Sequence, residues 1–529
     1  MLVTYRVRLA EYRRWAVVPL VIAAGLAIAY LPLTLAGLSI VGAVAFLAIL
    51  IRPHLGLYLL IFSIPFGSLK EVRVGVMSVG VTELLVGLVL AAWLAQMVAR
   101  REIRIGPAPL LLPLLIFLIA ISFSLLNTLS MQYSLKGLLV WLEVLGIYLF
   151  VGTALGGRGV KVGIIAILIA GSLEALLGVY QFLLGVGPES FILFGRFSRA
   201  YGTFGQPNPF GGYLGLILPL SVSITFAGWR RVESLLFWGL AAIGLTVMGM
   251  AMVMSWSRGA WLGSLAALGF MAVVGVWTEA FEPQLIGVLM GMGAGVLSGL
   301  WFGPRNMALG TLVGLLVAIA MVGLTATALR RRWGFVLLTL LLLLGVLFFL
   351  LGGGRLIPAT LVERLLDFLP YLRVTSVEGV PLSDENYAIV ERLAHWQAAW
   401  RMLSDNPLLG VGVGNYVPVY PAYALPGWED PMGHAHNYYL NIAAEAGLVG
   451  LGGYLFLWGA IFWHGWRVYR GAEDQWRGIT LGILGVMVAL GAHSLFDNLY
   501  VHGMNIHLAL LLGLLTVIDK KPREVPCNG

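Results

Sequence analysis

Charge is scarce in this 529-residue chain: Asp, Glu, Lys and Arg together make up 11% of it, against 60% hydrophobic residues. That balance excludes a soluble globular domain, so lipid is the solvent for most of the protein. Cysteine is nearly absent too. The single Cys527 rules out an intrachain disulfide and leaves stability to helix packing. No small-residue cleavage site follows the basic start (Arg6, Arg8, Arg13, Arg14), so the first apolar segment is expected to remain as a helix. The net charge of +8 is distributed as membrane topology requires and calls for no nucleic acid. Glycine, by contrast, is abundant at 68 residues, as suits transmembrane helices that approach through small side chains.

Apolar segments lie near 15–31, 34–51, 55–69, 79–99, 109–129, 134–155, 162–186, 209–228, 233–254, 260–278, 285–302, 308–329, 333–351, 436–463, 478–498 and 504–518. Most approach the ~20 residues that cross a hydrocarbon core. The expected fold is all-α: a polytopic integral membrane helical bundle of about 12–16 transmembrane helices, with one large external loop. Its parts are an N-terminal transmembrane bundle over 1–351, an external loop over 352–435, C-terminal transmembrane helices over 436–518 and a cytoplasmic tail over 519–529. With the N-terminus inside, Arg100, Arg101, Arg104, Arg230, Arg231, Arg330, Arg331, Arg332, Arg467, Arg470, Arg477, Lys520, Lys521 and Arg523 all fall on the cytoplasmic side. Both termini are then cytoplasmic.

Twelve basic residues fall on the outer side: Lys70, Arg73, Lys136, Arg196, Arg199, Arg258, Arg305, Arg355, Arg364, Arg373, Arg392 and Arg401. Orientation selects against them there, and an external anion at the membrane surface would give some of them a role. Long loops carry arginine freely, which accounts for Arg355, Arg364 and Arg373.

Within the outer loop, 384–404 reads as an amphipathic helix, with Ser383 as N-cap, acids in the first turn and Asp405-Asn406-Pro407 as its end. Arg392, His395 and Trp396 share one face. Gly410-Val-Gly412-Val-Gly414 lacks the lysine of a phosphate loop and reads as a flexible turn. The loop ends in Gly433-His434-Ala-His436-Asn437, where two imidazoles stand between water and an apolar helix.

Four stretches in order carry a resemblance. They are Gly202-Thr-Phe-Gly-Gln-Pro-Asn208; Ser255-Trp-Ser-Arg258-Gly-Ala-Trp-Leu262; Arg392-Leu-Ala-His-Trp396 with Asn406-Pro-Leu-Leu-Gly-Val-Gly412; and His436-Asn-Tyr-Tyr-Leu440 with Glu445-Ala-Gly447 and Gly450. Together they resemble the O-antigen ligase and O-antigen polymerase superfamily of bacterial polytopic glycosyltransferases, over roughly 200–460. The resemblance implies a C-type glycosyltransferase fold acting on an undecaprenyl-diphosphate-linked glycan at the periplasmic face, by an inverting mechanism without metal or nucleotide sugar. It maps the family's essential arginines onto Arg258 and Arg392, and its histidine onto His436. The acceptor it implies is lipid A core, another lipid-linked repeat or a protein hydroxyl. The extra apolar segments between 285 and 351 depart from the family's usual pattern of about twelve spans.

The residue types suit that chemistry. Arginine stays charged and presents paired donors to phosphate oxygens, so two of them can neutralise a departing diphosphate. A histidine, with an ordinary pKa near ~6.5, is matched to accepting a hydroxyl proton at neutral pH. Glycoside hydrolysis would want two facing carboxylates instead. His434, Asn437, Asn208, Asp497 and Lys136 are the expected substrate-binding residues, although Asn437 also suits the turn and Asp497 a helix cap. Asp430, His434 and His436 fit no metal motif by spacing, so neither metal nor cofactor is expected. His436 has a bland alternative as a structural cap of the following helix, and Arg258 as an interfacial anchor beside Trp256 and Trp261. The competing class is a small-solute transporter that uses the intramembrane acids Glu143 and Glu174.

Overall fold

The computed structural model describes residues 32–67, 72–74, 77–103, 105–193, 197–226, 235–277, 377, 380–383 and 386–520. The expected segments at 15–31, 285–302, 308–329 and 333–351, and most of the outer loop before 377, lie outside the described residues. Among the described residues the fold is all-α apart from two short hairpins. In chain order the elements are α1 (Leu33–Ile51), α2 (Pro53–Phe66), β1 (Val72–Val74), β2 (Met77–Val79), α3 (Val81–Arg100), α4 (Leu111–Phe123), α5 (Met131–Ala154) and α6 (Gly157–Leu184). Then come β3 (Ile192–Leu193), β4 (Phe197–Ser198), α7 (Pro207–Gly215), α8 (Leu218–Phe226), α9 (Leu235–Met254) and α10 (Arg258–Trp277). The last are α11 (Tyr387–Asp405), α12 (Tyr416–Val419), α13 (Tyr438–Gly471), α14 (Asp474–His493) and α15 (Met504–Asp519).

Among the described residues seven helices are long and apolar enough to cross a membrane, and four shorter apolar helices accompany them. Helix is the physical answer to such sequences, because lipid offers backbone N–H and C=O groups no partner outside the segment. The chain divides into two units, one of residues 1–60 and 84–104, the other of 61–83 and 105–529. In the first, Gln96 donates to the carbonyls of Leu50 and Ile51, both at 3.0 Å, and so closes the end of α1.

The second unit holds every candidate site residue. Its core is α15, buried along its whole length and packed on α5. Around it α6 packs on α9, α4 and α11 on α13, and α8 and α10 on α14. The α10–α14 approach is close because Gly259 and Gly263 form a small-residue stripe: a Cβ on Gly263 would lie 2.8 Å from the Ala489 carbonyl oxygen.

Two helices are interrupted where the hydropathy pattern reads straight through. The 209–228 segment is two helices, α7 and α8, because Pro219 has no N–H to donate and Leu216 and Ile217 turn between them. The carbonyl of Leu216 at the break accepts from the buried His507 Nε2 at 3.2 Å. In α13, Gly447 has φ 64° and ψ −167°, so the helix is two pieces. The freed carbonyls of Ala444 and Glu445 accept from Val411 N and Gly412 N at 2.9 and 2.8 Å, and Leu448 N donates to Pro407 O at 2.8 Å. The 406–414 loop is therefore spliced into the break. The expected flexible turn is a fixed one, also tied by Val413 N to Ser124 Oγ at 2.8 Å and by Gly414 N to Glu445 Oε2 at 2.9 Å.

Candidate active site

The His434–His436 loop is held by its own backbone chemistry. His436 has φ +52°, a left-handed conformation that a non-glycine residue adopts at some cost. Its N–H donates to His434 Nδ1 at 3.1 Å. The next residue, Asn437, is the N-cap of α13, its Oδ1 accepting from Leu440 N at 3.1 Å. His436 is thus not the cap, and the sequence reading of Asn437 as a turn residue describes the contact it makes.

α11 buttresses this loop. It begins at Tyr387 and ends at Asp405. Ser383 is not its N-cap; Ser383 and Asn386 instead exchange hydrogen bonds one turn earlier, Ser383 N to Asn386 Oδ1 at 2.8 Å and Asn386 N to Ser383 Oγ at 3.3 Å. The expected first-turn acids at 384 and 385 lie outside the described residues. Trp396 Nε1 donates to the His436 carbonyl at 3.3 Å. His395 stacks on Tyr420 (4.8 Å between centroids), meets Tyr416 Oη at 3.0 Å and turns an edge towards His436 at 5.5 Å. Burial lowers His395 to about 4, with His436 and His434 adding to the effect against Asp430.

Asp497 arrives from beyond the end of α14, where Tyr438 N donates to the Ser494 carbonyl at 2.8 Å and Tyr439 Oη to Gly491 O at 2.9 Å. Its Oδ1 accepts from Asn498 N at 2.9 Å and lies 3.6 Å from His436 Nδ1 and 3.7 Å from His434 Nε2. Burial by itself would raise this carboxyl, but His436, His434 and Arg392 outweigh it and hold Asp497 well below the usual carboxylate range. His434 is lowered to about 4 by burial in spite of Asp497, and His436 and Arg392 act in the same direction. The cluster at neutral pH is a buried carboxylate facing a neutral His434. Neither ring nitrogen of His436 has a hydrogen-bond partner among the described residues.

Arg392 lies on the face of α11 towards this cluster, with one Nη bonded to Ala388 O at 3.1 Å and its charge acting on Asp497 and His434. Arg258 is the first residue of α10, and its neighbour Gly259 packs on His493, at the α14 end that leads to Asp497. A strained turn presents Arg258: Trp256 has φ +52° and is buried. Arg199 clamps that turn, its Nε donating to Ser255 O at 2.9 Å and one Nη to Asn208 Oδ1 at 3.1 Å. Asn208 therefore serves the arginine turn. The 202–208 stretch that carries it is fastened to α6, Glu174 accepting from Thr203 N at 2.7 Å and Gln181 accepting from Gly202 N at 2.7 Å.

The structure thus brings His434, His436, Asp497 and Arg392 together and sets Arg258 and Asn208 beside the same end of α14. It does not bring Lys136 into the group. Lys136 is exposed near the start of α5, where Gly137 packs on Val413 and Gly414. Asp430 is also outside, exposed and accepting from Met432 N at 3.0 Å. Sequence reasoning gave Arg199 and Glu391 no place in the site and missed His493. Glu391 feels both His436 and Arg392, yet burial still raises its carboxyl. His434, His436 and Asp497 offer three donor atoms within 4.8 Å of one another, a span that brackets a metal ion.

The O-antigen ligase family model matches residues 303–455. That segment contains Arg392, His434, His436 and Asn437, while Asn208, Arg258 and Asp497 lie outside it. A teichuronic acid biosynthesis protein of Bacillus subtilis is 29% identical over 136 residues, 24% of this chain. The match spans about a quarter, 26%, of that relative's length. The chain is a multi-pass membrane protein, and residues 303–455 are similar to the O-antigen ligase family.

Proposed function

We propose that this protein is a membrane glycosyltransferase that moves a glycan from a polyprenyl-diphosphate donor, undecaprenyl diphosphate in bacteria, to an acceptor hydroxyl at the external, periplasmic face of the inner membrane. The observation that carries this reading is His436, with both ring nitrogens unengaged by hydrogen bonds and Nδ1 facing the ionised Asp497 at 3.6 Å. Asp497 favours the tautomer with the proton on Nδ1 and stabilises the imidazolium once it forms. Nε2 then accepts the acceptor hydroxyl's proton as that oxygen attacks the sugar C1. The C1–O bond to the diphosphate breaks, the leaving group takes the electron pair, and the anomeric centre inverts.

Arg258 and Arg392 neutralise the charge that develops on the diphosphate, and Arg199 with Asn208 holds the turn from which Arg258 projects. Asn437 caps the helix that fixes the histidine loop. Lys136, exposed on α5, supplies a diffuse positive charge for the donor. No step needs a metal or a nucleotide sugar. Ligation to lipid A core is the first reading of the acceptor. In a second reading the acceptor is another lipid-linked glycan and the enzyme a polymerase; the similarity to a teichuronic acid biosynthesis protein fits a polysaccharide product.

Mass spectrometry of purified protein incubated in EDTA with an undecaprenyl-diphosphate oligosaccharide and both acceptors tests this. Glycan transfer by wild type and its loss in His436→Ala is the expected result, and the product mass names the acceptor. Transfer that requires an added metal, or that persists in the mutant, overturns the mechanism.

A further inference from the structure

We propose that His434, His436 and Asp497 form a reversible, inhibitory site for a zinc-type transition-metal cation. Two imidazoles and one carboxylate are donors that zinc accepts. In a tetrahedral site with ligand bonds of about 2.0–2.1 Å, donor atoms stand about 3.3 Å apart. Here the Asp497 oxygen is 3.6 and 3.7 Å from the two ring nitrogens and all three donor atoms lie within 4.8 Å of one another, so the carboxylate is nearly in place and the two imidazoles must draw together to bind one ion. The left-handed turn at His436 and the Asn437 cap hold the imidazoles towards the carboxylate before any ion arrives. His436 is nearly buried and its ring nitrogens have no hydrogen-bond partner to give up.

Two features keep the site weak. His434 Nδ1 accepts the His436 N–H, and a metal on Nε2 would put the ring's proton on Nδ1, facing that donor. The loop must surrender the bond. The Arg392 charge, close enough to act on Asp497, also repels a dication. Micromolar affinity follows, not that of a resident cofactor. Inhibition rests on His436 being the base: metal at Nδ1 leaves the proton on Nε2, the atom that has to accept one, and engages the Asp497 charge. Binding itself does not rest on that reading.

The test uses the full-length protein in detergent, stripped with EDTA and titrated with zinc chloride alone against a chromophoric chelator. One micromolar equivalent in wild type, weakened at least about tenfold in both His434→Gln and Asp497→Asn, is expected. X-ray absorption of zinc-loaded wild type, independent of how the variants fold, should show two imidazoles and a carboxylate oxygen. Unchanged affinity in both variants, no binding at ~100 µM zinc, or a shell without an imidazole pair overturns the site. In the glycan-transfer assay, zinc should suppress turnover and EDTA restore it. Zinc that binds with this shell while transfer continues overturns the inhibitory role alone.

Discussion

A histidine that takes a proton in catalysis must keep one nitrogen protonated and present the other. Asp497 gives His436 that asymmetry from 3.6 Å, and Asp497→Asn removes the charge while keeping the shape. Its expected effect is a fall in kcat of about 10²–10⁴-fold with KM little changed, read from steady-state transfer kinetics. An unaltered kcat would leave Asp497 as a helix-end residue only. The neighbouring imidazoles make a separate prediction about stability. His395 and His434 are lowered from 6.5 to about 4 by burial. Below 6.5 the unfolded chain binds more protons than the folded one, so stability is complete above that pH and declines as pH falls towards 4. Thermal unfolding should show a lower Tm at about pH 5 than at about pH 7.5, a difference reduced in His395→Gln. The imidazole pair was legible in the sequence because it interrupts an apolar pattern with polar residues. Asp497 was legible only as one of two equal readings, and Arg199 only as one of twelve outer basic residues, since the turn it clamps at Ser255 and Trp256 lies more than fifty residues away along the chain.

Helices in lipid are usually continuous because a broken one exposes polar backbone, so the break in α13 needs partners and finds them in the 406–414 loop. From Leu448 onward α13 still extends about 36 Å, enough to cross the hydrocarbon core. The N-terminal piece is left free to angle His436 towards Asp497. Gly447 is the pivot: its φ of +64° disfavours any side chain, and a Cβ there would run into the backbone of Leu408. Gly447→Ala should cost a few kcal/mol, by order of magnitude, and lower Tm by several degrees in detergent. An unchanged Tm would mean the splice contributes little. Hydropathy found α13 and α11 as elements because their apolar and amphipathic patterns are long. It missed the breaks at Gly447 and at Leu216–Ile217 because a single dihedral or a single proline leaves the pattern unchanged.

On the scale of the whole molecule, the polar residues that converge belong to distant segments: α10, α11, the start of α13 and the end of α14. The intramembrane acids that suggested a transporter have structural partners. Glu174 is fully buried and bonded to Thr203, and Glu143 meets Asn505 Nδ2 at 3.4 Å. The fold class was readable from the uninterrupted apolar runs of about 20 residues, which fit a membrane-spanning helix and not the alternating pattern of a barrel strand. How the four motifs assemble was not, since it depends on contacts between helices that no single stretch encodes. The most direct measurement is single-turnover transfer from a lipid-linked donor at saturating enzyme, comparing wild type, His436→Gln and Glu143→Gln. The proposed chemistry predicts unchanged donor affinity and a rate reduced about 10²–10⁴-fold in His436→Gln, with Glu143→Gln close to wild type. A His436→Gln rate equal to wild type would contradict it.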